Sequence, residues 1–184
     1  MELLKRKSLT TALVLMLVTL TAVTLRTVPA ASSNEYELKS VFLYNFCHFI
    51  EWPNSAFTSP TEPFIIAVVG QDPFGSFLRD AIKGETYHNR PIVIQHFHGA
   101  NDIQHCHILF VGRTEANQVD AILEAIDSKS VLTVGETEDF LDHGGMIALP
   151  AERNRVRLRM KPATMRAANL SVSSKLLRVA DIDS

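Results

Sequence analysis

The stretch Phe64-Ile65-Ile66-Ala67-Val68-Val69 runs through six apolar residues without a break and closes on Gly70. Strand side chains alternate between two faces, so a strand with no polar position is buried on both. Such a strand needs neighbours on either side and helices above and below, which is the α/β arrangement. The chain repeats the theme. His107–Val111, Val131–Val134 and Met146–Leu149 read as further short buried strands, and Arg90–Phe97 as an alternating one with a wetter face. Between them, Asp72-Pro73 sets a helix start, with Leu78, Ala81 and Ile82 inward. Thr114 caps a helix over Glu115–Ile126, with Val119, Ile122, Leu123 and Ile126 inward. Consecutive strands near Met146 and over Arg155–Met160 imply an antiparallel edge. Short helical and strand pieces over Pro162–Ala168, Leu170–Ser173 and Ser174–Ala180 complete the chain. The expectation is an α/β fold: a single layered domain with a mixed, mostly parallel sheet flanked by helices.

The start of the chain has a different character. Lys5, Arg6 and Lys7 precede an uncharged run from Leu9 to Leu25, and Val28-Pro29-Ala30 offers small residues at a cut site. That is the pattern of a secretory signal peptide, residues 1–30, cleaved after Ala30. It places the mature domain, residues 31–184, in the periplasm. The formal charge of the whole chain is -2. Residues 1–30 hold four bases and one acid, so the mature part stands near -5. That balance argues against a nucleic-acid partner.

Asn34 with Glu37 three residues on reads as a helix cap, and the segment that follows is apolar on several faces. Leu38, Val41, Phe42, Asn45 and Phe49 form one stripe, widened by Leu43, Phe46 and Ile50, and Pro53 stops the helix near Trp52. A helix this apolar is covered by its own domain or by a partner. Tyr44, Phe49, Trp52 and Pro53 are therefore candidates for a partner or dimer surface.

Three places could carry chemistry. Gly70, Asp72, Pro73, Phe74 and Gly75 lie between a strand end and a helix start, a common ligand position in α/β proteins. They form a candidate ligand cleft, although a capped turn explains the same residues. His88, His96, His98, His105 and His107 crowd one window around Cys106, but the spacing matches no zinc motif, and no metal or other cofactor is expected. Cys47 and Cys106 are the only cysteines. They form one disulfide or stay as two free thiols, and both readings are open. Nucleophile-elbow and paired-carboxylate spacings are missing, so no catalytic residues are assigned and the chain is not read as an enzyme. Arg153, Arg155, Arg157 and Arg159 form a basic stripe that could meet an acidic partner or lipid head groups, and it is read first as a solvated strand face.

Several segments together resemble the YfiR family. They are Glu37–Phe46, Phe49-Ile50-Glu51-Trp52-Pro53, Ala67–Gly75, Cys106–Val111, Gly144-Gly145-Met146-Ile147 and Ser173–Arg178. The resemblance implies a periplasmic regulator that represses an inner-membrane diguanylate cyclase and so lowers cyclic di-GMP signalling. It also implies an outer-membrane lipoprotein that sequesters the regulator, a homodimer and a redox-sensitive disulfide. The family pairs a cysteine of the strand before the Gly70 stretch with the one at Cys106; here that strand has none, so Cys47 would have to substitute or Cys106 be free. The alternative is a periplasmic small-ligand sensor or carrier, and less so a metal-binding protein.

Overall fold

A computed structural model describes residues 33–126, 129–152 and 155–183. The signal-peptide segment, residues 1–30, lies outside the described residues, as does Arg153.

The chain opens with α1 (Ser33–Phe49), followed by β1 (Ile50–Glu51). The helix ends three residues before Trp52, earlier than Pro53 alone would stop it, because Ile50 and Glu51 pair antiparallel with β11 (Ser171–Val172). β2 (Phe64–Val69) is buried along its whole length, as its composition requires. Then come α2 (Phe77–Ile82), β3 (Thr86–Tyr87), β4 (Arg90–Phe97) and β5 (Ile108–Val111). A 3-10 turn at Arg113–Gln118 leads into α3 (Val119–Ala125) and β6 (Leu132–Gly135). Another 3-10 turn, Glu138–Leu141, precedes β7 (Ile147–Ala148). The expected strand over Arg155–Met160 is broken. Its first half, β9 (Arg155–Val156), pairs with β8 (Ala151–Glu152), and its second, β10 (Arg159–Met160), turns onto β7. The chain closes with α4 (Pro162–Ala167), β11, α5 (Ser174–Leu177) and β12 (Asp181–Ile182).

The main sheet has the order β12-β10-β7-β6-β5-β2-β4-β3. From β4 to β7 every pairing is parallel; β10 runs antiparallel to β7 and β3 antiparallel to β4. It is a mixed, mostly parallel sheet flanked by helices. After β2 the chain crosses through α2 to β4, then returns to the other side of β2 for β5. The order therefore reverses between β2 and β5, and the loops beyond their carboxyl ends border the crevice that open α/β sheets offer to ligands.

The alternation along β2 divides the interior. Phe64, Ile66 and Val68 join a core with Leu43, Phe46 and Cys47 of α1, Leu78 of α2, Met165 of α4 and Leu176 of α5. Ile65, Ala67 and Val69 join a second core with Val119 and Ile122 of α3 and with Phe140. Each fully buried aliphatic or aromatic side chain contributes about 1.5–3 kcal/mol, so β2 alone stabilises both layers. Among the described residues no helix is long and apolar enough to cross a membrane.

Packing in the second core is tight where β6 ends. A methyl group on Gly135 or Gly145 would run into the ring of Phe140. Gly135→Ala should therefore cost about 1–3 kcal/mol by overpacking, read as a lower urea midpoint with an unchanged slope; Gly99→Ala, which meets open space, should leave the midpoint nearly unmoved.

Candidate functional site

The loop that leaves β2 is shaped by its glycines and by Asp72. Gly70 has φ +80° and donates its N–H to the Phe97 carbonyl at 2.8 Å. Asp72 accepts the Phe74 N–H on Oδ1 at 2.8 Å, and its Oδ2 meets His96 Nε2 at 3.1 Å. This is an Asx turn, and it delays the helix: α2 starts at Phe77, not at Pro73. Phe74 turns inward and packs edge-on against Tyr36 at 5.7 Å and Phe110 at 4.7 Å. The space above Gly70 is taken by the Glu115 side chain, which a Cβ at position 70 would strike. Glu115 is buried and accepts from Thr114 Oγ1 and Gln118 Nε2, each at 3.1 Å. The expected cleft residues do gather at the switch crevice, and the protein's own side chains fill it there.

Beside that crevice α1 is fastened by a group of charges that the sequence reading did not single out. Lys39 is fully buried, with Nζ 2.6 Å from Glu35 Oε1 and 2.5 Å from Glu136 Oε1. The other Glu136 oxygen accepts the backbone N–H of Arg113 at 2.8 Å, and the Arg113 guanidinium meets Glu35 at 2.5 Å and Glu136 at 3.5 Å. Burial and the Glu136 carboxylate push the Tyr36 hydroxyl up to about 12. Two acids and two bases thus join α1 to the loops after β5 and β6. One local signal was available: a lysine set four residues after an acid inside an otherwise apolar helical face. Its partner Glu136, ninety-seven residues away, carries no local mark.

The opposite end of the sheet holds the histidine group. Ligand atoms of Glu62, His105 and His107 lie within 4.8 Å of one another, and His105 Nε2 is 2.8 Å from Glu62 Oε1. His107 is fully buried and stacked between Phe57 at 4.5 Å and Phe64 at 4.8 Å. Its Nδ1 accepts the Ile65 N–H at 3.0 Å. That fixes the tautomer. The Nδ1 lone pair is used, so the neutral ring carries its proton on Nε2, the atom left without a hydrogen-bond partner. A metal ion would need that Nε2 as a lone pair, with Nδ1 then pressing a proton against the Ile65 N–H. The donor set does not suit a metal. Burial first, and the neighbouring His105 second, bring His107 from 6.5 to about 4.

Trp52 belongs to this aromatic cluster and not to the surface. It is buried, its indole N–H donates to the His107 carbonyl at 3.1 Å, and its ring meets Phe64 edge-on at 4.8 Å. The partner-surface expectation is corrected at this residue: with the helix ending at Phe49, the Trp52 corner folds under the sheet. Tyr44, Phe49 and Pro53 keep partial exposure, and the Tyr44 hydroxyl donates to Glu85 at 2.7 Å.

Of the two readings open for the cysteines, the structure has the free thiols. Cys47 and Cys106 are both free thiols. Cys47 sits in the core under α1 and Cys106 in the core on the other face of the sheet. With the sheet between them, the Cα atoms cannot reach bonding distance without moving the backbone. Burial pushes both thiols up to about 12, which suppresses the thiolate. A cavity of about 630 Å³ lies away from the Gly70 loop, between α3 and α4, bordered by Asp120, Lys129, Thr133, His143, Met146 and Thr164.

The family model described as YfiR/HmsC-like matches residues 36–181. The chain belongs to the YfiR/HmsC-like family. Among solved structures it is similar to a conserved domain protein from Vibrio cholerae O1 biovar El Tor str. N16961, with TM-score 0.55 and 9% identity. That match covers 81% of this chain and 60% of the other, and at that identity it bears on the fold alone. No curated protein matches the chain.

Two predictions follow from the charges. Glu136→Gln leaves the buried Lys39 with Glu35 alone, and Lys39→Met leaves Glu35 and Glu136 to share Arg113; each should cost about 1–3 kcal/mol, and the double variant should recover part of the loss, as urea melts of the three proteins measure. His107 takes up protons more readily unfolded than folded between about pH 4 and 6.5. Its contribution is complete above 6.5 and is lost as pH falls toward 4, about 3 kcal/mol in all. Urea midpoints across that window should decline in the parent protein and decline less in His107→Asn.

Proposed function

We propose that the protein is a periplasmic regulator that binds an inner-membrane diguanylate cyclase and represses it, lowering cyclic di-GMP. The observation that carries this reading is the match to the YfiR/HmsC-like family over residues 36–181. Two features support it. The signal-peptide pattern of residues 1–30 directs the domain to the compartment where a cyclase's periplasmic sensor part is accessible. The switch crevice, where an α/β domain would hold a small substrate, is packed with Phe74 and Glu115 of the chain itself. With that crevice closed, the reading is of a domain that acts by contact with a partner protein. Tyr44, Phe49 and Pro53 are the residues of the first-helix region offered to a partner, whether the cyclase or a second copy in a homodimer. An outer-membrane lipoprotein that captures the regulator would relieve the repression.

Deleting the gene should raise cellular cyclic di-GMP, and supplying the full chain should restore the lower level, while a chain lacking residues 1–30 should not. Unchanged messenger in the deletion strain would overturn the reading.

A further inference from the structure

The charge of the domain is divided along the chain. Residues 31–150 hold sixteen acids and six bases; residues 151–184 hold eight bases and three acids. Within the second group, β10 and β12 form one edge of the main sheet. β12 pairs with β10, and the Asp181 and Asp183 amides donate to the Leu158 and Met160 carbonyls, each at 2.8 Å. Arg157, between β9 and β10, reaches Asp181 at 2.8 Å, so the basic segment and the C-terminal tail share one surface. Arg155, Lys175 and Arg178 are exposed and have no ion-pair partner among the described residues. Val179 and Ile182 stand 73% and 52% exposed on the same tail.

We propose that this edge is a docking face for an anionic bilayer surface. Free cations beside protruding aliphatic side chains, here Lys175 and Arg178 next to Val179, satisfy both parts of such a surface: the cations meet the phosphates, and the aliphatic groups enter the boundary between headgroups and acyl chains, while Asp181 and Asp183 beside Ile182 are paired with Arg157 and Arg159. The polarity of the molecule adds direction. A negative surface attracts the edge formed by residues 151–184 and repels the acidic remainder, so one orientation is selected. A carboxylate-rich protein would answer the charges, but it would not account for two aliphatic side chains left so exposed among them. The inference is independent of the cyclase reading, since lipid alone should suffice.

The test uses protein recovered from the periplasmic fraction, its N-terminus read by mass spectrometry, and co-sedimentation with vesicles. Vesicles of phosphatidylethanolamine mixed with phosphatidylglycerol should retain it, and neutral phosphatidylcholine vesicles should not. Binding should fall as salt shortens the screening length. K175Q/R178Q should weaken partition by on the order of tenfold or more, and V179S/I182S should weaken it at constant charge. Circular dichroism shows whether each variant keeps its fold, and a substitution confined to the acidic body, such as Asp80→Asn, should not weaken binding. Equal retention by both vesicle types, no retention by either, or undiminished binding of the folded K175Q/R178Q protein would overturn the proposal. So would a face that ignores lipid while K175Q/R178Q abolishes repression of the cyclase, which would assign the edge to a protein.

Discussion

The two-sided burial of β2 is the constraint on which the molecule depends. A strand with Phe64, Ile66 and Val68 on one face and Ile65, Ala67 and Val69 on the other cannot be stable at an edge or under a single helical layer. It takes β4 and β5 as parallel neighbours, and parallel neighbours require crossovers that pass over the faces. α2 supplies one and covers one core. The return from β4 to β5 crosses to the other side of the sheet, and α3 covers the second core. The reversal of strand order, and with it the position of the crevice, follows from how the chain leaves this one strand.

α1 is outside that logic, because it precedes the sheet and no crossover dictates where it lies. Its apolar face brings Leu43, Phe46 and Cys47 to the first core, but apolar contact tolerates sliding by a turn. The Lys39–Glu136 pair does not. A buried ammonium between two carboxylates has one acceptable position, and a misplaced helix would strand it without water or a partner. The group contributes little net attraction for its desolvation cost, yet it penalises every wrong register of α1 on the β5 and β6 loops. Exposure of Leu38 and Val41 is the complement of that fixed register: with Lys39 held inward, those neighbours turn outward.

How much of this was legible depends on sequence separation. β2, β4, β5 and β6 announce themselves in local composition, and the α/β class follows from them. Asp72 was legible as a capping residue, but the distinction between an Asx turn and the first turn of a helix lies in how Phe74 is drawn inward toward Phe110. Trp52 reads as a helix end on a surface until β11 pairs with Ile50 and Glu51 and folds that corner under the sheet. The cysteines stay undecided in the sequence for the same reason. Whether Cys47 and Cys106 can meet depends on which face of the sheet each occupies, a property of topology that neither neighbourhood encodes.

Gly70 shows how one residue admits two readings until its neighbour is known. A glycine with φ +80° after a buried strand is what a phosphate-binding loop would use, because the ligand must approach the backbone where a Cβ would intrude. Here the approaching group is the buried side chain of Glu115, from the turn after β5. The missing Cβ admits a carboxylate of the same chain, held by Thr114 and Gln118, into the place where an anionic ligand would sit. A second anion in that position would face this carboxylate at close range, with Asp72 nearby in the same loop. The glycine that most resembles a ligand loop therefore admits the protein's own carboxylate and closes the crevice at this loop.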